Sequence, residues 1–261
     1  MIIWNVNPVL LELGPIQIRW YGLCFLAGFL IGYHFMRWVC QREGKPQEAL
    51  DALLTYVIVG TIIGARLGHV IFYDPIYYSH HLLEILEVWK GGLASHGGTV
   101  GVFVALFLFS RKYPMFKVSW LFDRIAIPVS LTAAFIRIGN LMNSEIIGKP
   151  TKMPWAFIFA KVDSLPRHPT QLYESFTYLC LFFLLWFIYK RDPKRPPGLL
   201  FGISMIWIYG ARIILEYFKE NQEPFEAGMF MNMGQILSIP FVILGAVLVW
   251  RALRKKSSAA I

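Results

Sequence analysis

Seven apolar runs, at residues 16–40, 49–73, 93–110, 118–140, 170–189, 198–218 and 233–250, are joined by connections too short to hold a soluble domain. A helix needs about 20 mostly apolar residues to cross about 30 Å of hydrocarbon, so each run is close to one membrane span. Within hydrocarbon every backbone polar group must find its partner in the protein, which leaves helices and closed barrels as the only spanning structures. A barrel would need segments of about ten residues with alternating polarity, and the sequence has none. The chain therefore reads as an all-α integral membrane protein of seven transmembrane helices, forming a single membrane-embedded domain over residues 1–261. With 56% hydrophobic and 16% charged residues, it has the balance of a multi-span protein rather than a soluble one.

The formal charge of +9 would suit a nucleic-acid partner, but its distribution points to topology instead. The connections at 41–48, 111–117, 190–197 and 251–256 hold 13 Lys and Arg, those at 74–91, 148–169 and 219–232 hold six, and none precedes Arg19. The positive-inside rule places the richer set in the cytoplasm, the amino terminus outside and the carboxyl terminus inside. An amino terminus without Lys or Arg also lacks the basic region of a cleaved signal peptide. The amphipathic segment 80–90 is too short to span and is expected along the outer interface, and 257–261 reads as a small disordered tail. Cys24, Cys40 and Cys180 all lie in apolar runs without CxxC spacing, as buried small hydrophobes do. The six histidines are scattered, so neither a metal site nor a cofactor is expected.

Several polar residues do not fit a lipid-facing span. With this orientation Arg19 opens the first span from outside, and Arg66, Arg137 and Arg212 fall in the outer halves of the second, fourth and sixth. Tyr21, His69, His96, Asn140, Asn143, Glu145, Gln171, Tyr173, Glu174, Tyr209, Glu216 and Gln235 fall near the same level. Singly, His69, Gln235 and Glu216 are best read as structural. Collectively, ionisable groups inside spans face a cavity and mark a substrate path, and converging arginines imply an anion. The phosphate of an outer-leaflet phospholipid suits them, since guanidinium offers planar paired donors and keeps its charge in a low dielectric. His96-Gly97-Gly98 opens the third span, where free N–H groups and the helix dipole also favour an anion. An enzyme acting on phospholipid and a one-sided anion or phospholipid transporter both fit. The apolar inner halves of spans three, five and seven favour the enzyme, because transporter sites lie near the midplane.

Arg137-Ile-Gly-Asn-Leu-Met-Asn-Ser-Glu145 with Gly148, Trp20-Tyr-Gly22, Gly64-Ala-Arg66 and Ser95-His-Gly-Gly98 resemble the motifs of the prolipoprotein diacylglyceryl transferase family. Arg167-His-Pro-Thr-Gln-Leu-Tyr-Glu174, Tyr209-Gly-Ala-Arg212 and Met233-Gly-Gln-Ile-Leu-Ser-Ile-Pro240 match it as well, so the resemblance runs in order over nearly the whole chain. It implies a seven-span enzyme of the bacterial cytoplasmic (inner) membrane with its active site toward the outer leaflet. The implied reaction moves a diacylglyceryl group from phosphatidylglycerol to the lipobox cysteine thiol in a preprolipoprotein signal peptide, releasing glycerol phosphate, as the first step of lipoprotein maturation. The thiol must lose its proton, and His96 is assigned as base with Tyr21 as the alternative. Arg137 and Arg212 are expected to stabilise the leaving phosphate, with Glu145 organising them. Phosphatidylglycerol is expected to contact Arg137, Arg66, Asn140, Asn143, Gly97, Gly98, Gly148 and Arg212, and whether Arg66 or Arg212 is the second phosphate clamp stays open.

Overall fold

The computed structural model describes residues 1–14, 16–88, 91–192, 195–220 and 228–258, leaving aside the side chains of residues 16, 95, 96 and 256–258. Strands β1 (Ile2–Trp4), β2 (Val9–Leu13) and β3 (Ile16–Arg19) precede helices α1 (Trp20–Arg42), α2 (Glu48–Phe72) and α3 (Pro75–His80). A 3-10 turn at Leu82–Leu86, α4 (Ser95–Lys112), α5 (Val118–Met142), β4 (Phe157–Phe159) and β5 (Pro166–Arg167) follow. The chain continues through α6 (Thr170–Arg191), α7 (Leu199–Leu215), a 3-10 turn at Glu216–Phe218 and α8 (Met233–Ser258). Among the described residues, six helices are long and apolar enough to cross a membrane: α1, α2, α5, α6, α7 with its 3-10 turn, and α8. The protein is thus mostly helical and of multi-pass membrane type.

The structure refines the sequence reading in four places. The run at 93–110 does become a helix, α4, but Ser95-His-Gly-Gly98 at one end and Arg111-Lys112 at the other shorten its apolar stretch. It is therefore not one of the six. The first run does not begin as helix: in Ile16-Gln-Ile-Arg19 apolar and polar residues alternate, the period of a strand. These four residues pair antiparallel with Val9–Leu13, and α1 starts at Trp20. Beside the helices, a second small sheet, ordered β1-β4-β5, brings the amino terminus alongside 157–167. Finally, α8 carries on to Ser258 through the start of the expected tail, of which residues 259–261 lie outside the described set.

The chain forms two compact units, residues 1–35 with 122–261 and residues 36–121. In the first, Asp123 on α5 is fully buried and accepts hydrogen bonds from the backbone N–H groups of Gly198 (2.7 Å) and Phe201 (3.0 Å). A carboxylate there satisfies N–H groups that have no partner within the helix, and it fixes where α7 starts. Gly202 on α7 lies against the Gly245 backbone of α8, and Gly28 on α1 lies against Thr132 of α5. Small residues let membrane helices approach this closely, which matters because lipid tails supply no hydrophobic force between them. In the second unit the same device joins α2 and α4, where Gly60, Gly64 and Gly68 face Gly97 and Gly101.

Candidate functional site

The end of α5 is the organising feature of the first unit. Arg137 Nη1 donates to Asn140 Oδ1 at 3.1 Å, and Asn140 Nδ2 donates to Glu145 Oε1 at 2.7 Å. Asn143 Nδ2 reaches the same carboxylate oxygen at 3.3 Å. The helix stops after Met142 in a turn where Ser144 (φ 55°) and Ile146 (φ 56°) both adopt left-handed backbone. Such a conformation costs on the order of 1–3 kcal/mol for a non-glycine residue and persists only where the surroundings impose it. Here the start of α6 imposes it: Gln171 Nε2 donates to the Glu145 carbonyl (2.7 Å) and Thr170 Oγ1 to the Ile146 carbonyl (3.0 Å). Below the turn Leu141, Phe157 and Phe159 form a buried cluster with Trp4, whose Nε1 donates to the Leu141 carbonyl at 2.9 Å.

Two carboxylates behind this turn hold the arginines. Glu174, one turn into α6, places Oε2 3.0 Å from Arg137 Nε, and Tyr178, four residues on, also hydrogen-bonds Arg137. Residues four apart share a helix face, so one face of α6 supplies both. Glu216 places Oε1 3.4 Å from Arg212 Nε, four residues earlier. Lys219 joins the two carboxylates, with Nζ 2.9 Å from Glu174 Oε1 and 3.0 Å from Glu216 Oε1. Charges therefore alternate in the order Arg137, Glu174, Lys219, Glu216, Arg212. Glu174 is 1% exposed and Lys219 2%, whereas the Arg212 side chain keeps 36% of its surface open.

Tyr21, at the start of α1, packs its ring and backbone over Gly139 and lies close enough to Glu145 and Arg137 to feel both charges. Gly148 is buried where three backbone segments meet: its N–H donates to the His168 carbonyl (3.1 Å), and Lys149 N–H donates to the Phe218 carbonyl (2.8 Å). Arg167 secures this junction, with Nη1 donating to the Gly148 carbonyl (3.1 Å) and to Glu220 Oε1 (2.6 Å). Its Nε donates to both oxygens of Asp163, at 3.2 and 3.0 Å, and these bonds hold the Asp163 carboxyl below its ordinary range. Burial lowers the His168 imidazole, whose Nδ1 lies 3.1 Å from the Tyr173 hydroxyl. Gln235, expected to be structural, exchanges hydrogen bonds with Asn232 at the start of α8 and donates to the Ile213 carbonyl.

The Asp163–Arg167 pair carries a pH prediction. A carboxyl whose folded pKa is depressed contributes stability above its unfolded pKa, about 3.9, and loses it as pH falls through the folded value. Asp163→Asn is therefore expected to lower the melting temperature slightly and uniformly from pH 8 to pH 5. The difference from the parent should close below about pH 4, near the carboxylate range. A melting-temperature series against pH checks this, and a difference that widens on acidification would refute it.

The remaining predicted residues lie in the second unit. Arg66 is 4% exposed, and its guanidinium is taken up by backbone carbonyls: Nε donates to Ile85 (2.9 Å), Nη1 to Gly91 (2.8 Å) and Gly92 (3.2 Å), and Nη2 to Glu84. Four of its five N–H groups are thereby assigned, and its plane covers the Tyr78 ring. His69 stacks on Tyr73, with Nε2 3.9 Å from Asp74 Oδ2. The amphipathic segment expected at the interface forms part of α3 and the following 3-10 turn, exposing Leu82, Leu83 and Leu86; residues 89 and 90 lie outside the described set. His96 is the second residue of α4, and its side chain lies outside the described set. Gly97 is held against the backbone of Gly64 and Gly68, so helix packing already requires a glycine there; Gly98 makes ordinary contacts.

Sequence reasoning missed Lys219 as a site residue, counting it among loop charges, and missed Tyr178. The signal for Lys219 was its spacing, three residues after Glu216 and seven after Arg212, which continues one helical face past the end of the apolar run.

The family model for prolipoprotein diacylglyceryl transferase matches residues 8–251. A phosphatidylglycerol–prolipoprotein diacylglyceryl transferase of Tolumonas auensis is 48% identical over 257 residues, covering 98% of this chain and 100% of the relative. Proteins of that name from Chloroherpeton thalassium and Porphyromonas gingivalis are 48% and 44% identical, each covering 97% of this chain and 95% of the relative. The chain belongs to the prolipoprotein diacylglyceryl transferase family.

Proposed function

We propose that the protein transfers the diacylglyceryl group of phosphatidylglycerol to the lipobox cysteine thiol of preprolipoproteins. The observation that carries this reading is the row of alternating charges that fixes Arg137 and Arg212 beside the polar turn of Asn140, Asn143 and Glu145. The thiolate attacks the glycerol carbon that bears the phosphate. A sulfur–carbon bond forms, the carbon–oxygen bond to phosphate breaks, and glycerol phosphate leaves with one more negative charge. Two fixed guanidinium groups stabilise that developing charge without reorganising. A free thiol has a pKa of about 8.5, so the positive potential of the arginines and a base both raise its thiolate fraction. We assign the proton to His96, with Tyr21, beside Arg137, as the alternative acceptor, and the headgroup contacts to Asn140, Asn143 and the backbone at Gly97, Gly98 and Gly148.

Of the two candidates for second clamp, Arg212 is the better supported, because its side chain is partly open and engages one carboxylate at ion-pair distance. Arg66 spends its donors on the carbonyls of Glu84, Ile85, Gly91 and Gly92, which suits it to hold those residues in place. The seven-span arrangement, with α4 as the third span, the amino terminus outside and the site toward the outer leaflet of the bacterial inner membrane, belongs to the same proposal. So does the reading of residues 1–261 as a single transferase domain.

The test is a mass measurement on a lipobox peptide incubated with purified protein and phosphatidylglycerol. Addition of one diacylglyceryl group is expected, and an unmodified thiol in the presence of folded protein would refute the reading. In the same assay Arg66→Gln is expected to lower thermal stability and speed proteolysis within residues 82–92, while Arg212→Gln should leave both unchanged and abolish transfer. The reverse pattern would make Arg66 the clamp.

A further inference from the structure

The structure assigns to Lys219 the role of a positioning and specificity-determining residue, one that spaces the two arginine-holding glutamates and supplies the positive charge that admits an anionic headgroup. This inference rests on the transferase reading above.

Lys219 is counted by sequence with the loop after span six, yet it is 2% exposed. Its ammonium touches both Glu174 and Glu216, at 2.9 and 3.0 Å. Burying an ammonium costs several kcal/mol, and that cost is recovered only when opposite charges and hydrogen bonds surround it. Two glutamates from different elements do so here, and each of them also orients one arginine. Its backbone is fixed as well: Lys219 N–H donates to the Glu216 carbonyl at 3.2 Å, and its chain bridges antiparallel to Gly148.

Two consequences follow from removing the ammonium. Glu174 and Glu216 would face each other as like charges in a buried site, and each would turn toward the nearer guanidinium. The distance between Arg137 and Arg212 would then no longer be set. The charge balance would also change. Three cations and two anions leave the row with one surplus positive charge, which matches the single negative charge of a phosphodiester. When Glu145 is counted too, the set is neutral with Lys219 and negative without it, so an anionic headgroup would meet repulsion.

The test compares the parent protein with Lys219→Met and Lys219→Arg in detergent micelles, using phosphatidylglycerol, a lipobox peptide and melting temperature as a folding control. Lys219→Met is expected to raise KM for phosphatidylglycerol at least tenfold and to lower kcat, with the KM for peptide within about twofold, since the lost coupling is that of two close charge pairs. Lys219→Arg restores the charge and is expected to recover most of the KM. Should Lys219→Met not fold, Lys219→Gln, which can still donate to a carboxylate, carries the same expectation. Equal losses in Lys219→Arg and the uncharged variants, or a fall in stability with an unchanged KM for phosphatidylglycerol, would overturn the assignment. A parent protein that leaves the peptide unmodified would instead refute the transferase reading and this role with it.

Discussion

Replacing Arg137 by lysine is expected to reduce kcat for diacylglyceryl transfer by about 10²–10³-fold, the size of effect seen when one preorganised donor to a developing oxyanion is removed. The substitution keeps the charge, so a site that needed only positive potential would tolerate it. It removes the planar fork, however. Arg137 uses Nε on Glu174 and Nη1 on Asn140 at the same time and also hydrogen-bonds Tyr178, so the guanidinium is aimed by three neighbours. Lysine offers a single nitrogen on a flexible stem and cannot keep both partners while also meeting a phosphate. The loss should fall mainly on kcat, because the charge that grows during carbon–oxygen cleavage is what the oriented donors serve. Steady-state rates at varied phosphatidylglycerol measure this. Near-normal kcat in folded Arg137→Lys would remove the guanidinium geometry from the mechanism.

The contrast between Arg66 and Lys219 marks where sequence was informative and where it was not. The apolar runs located the helices closely because a span must satisfy its own backbone, and that requirement writes itself into about 20 consecutive residues. The run at 16–40 misled at its start because Ile16-Gln-Ile-Arg19 is as apolar as a helix end, and only its alternation betrays the strand. For the site, Arg137, Asn140 and Glu145 could be read from one stretch because a helix end and the turn after it keep sequence neighbours in contact. Arg66 and Arg212 looked equivalent, each following Gly-Ala in an even-numbered span. They differ through what surrounds them: the carbonyls of Glu84, Ile85, Gly91 and Gly92 for one, a carboxylate on its own helical face for the other. Lys219 was misread for the opposite reason. A lysine beyond an apolar run is ordinarily solvated, and nothing local says that Glu174, 45 positions earlier in the chain, comes within 2.9 Å of it.

Gly148→Ala is expected to abolish transfer and to lower the melting temperature. A Cβ at this position would meet the His168 carbonyl oxygen, the His168 Cβ and the Phe218 carbonyl oxygen, all well inside van der Waals contact. Two of these are backbone atoms held by their own hydrogen bonds, Gly148 N–H to His168 and Lys149 N–H to Phe218, so they cannot yield separately. Overpacking of this kind costs about 1–3 kcal/mol where neighbours can shift, and more where they cannot. The displaced segments carry the chemistry on either side: the strained turn bearing Glu145 precedes Gly148, and the bridge to Lys219 faces it. Gly210→Ala provides the control, because among the described residues a Cβ there meets no atom within 4 Å beyond its chain neighbours and its own helix backbone, and alanine stabilises a helix interior by about 1 kcal/mol relative to glycine. It should retain transfer and melt no lower than the parent. If Gly148→Ala were as active and as stable as Gly210→Ala, the three-way backbone junction could not be what holds the arginine row and the polar turn in register.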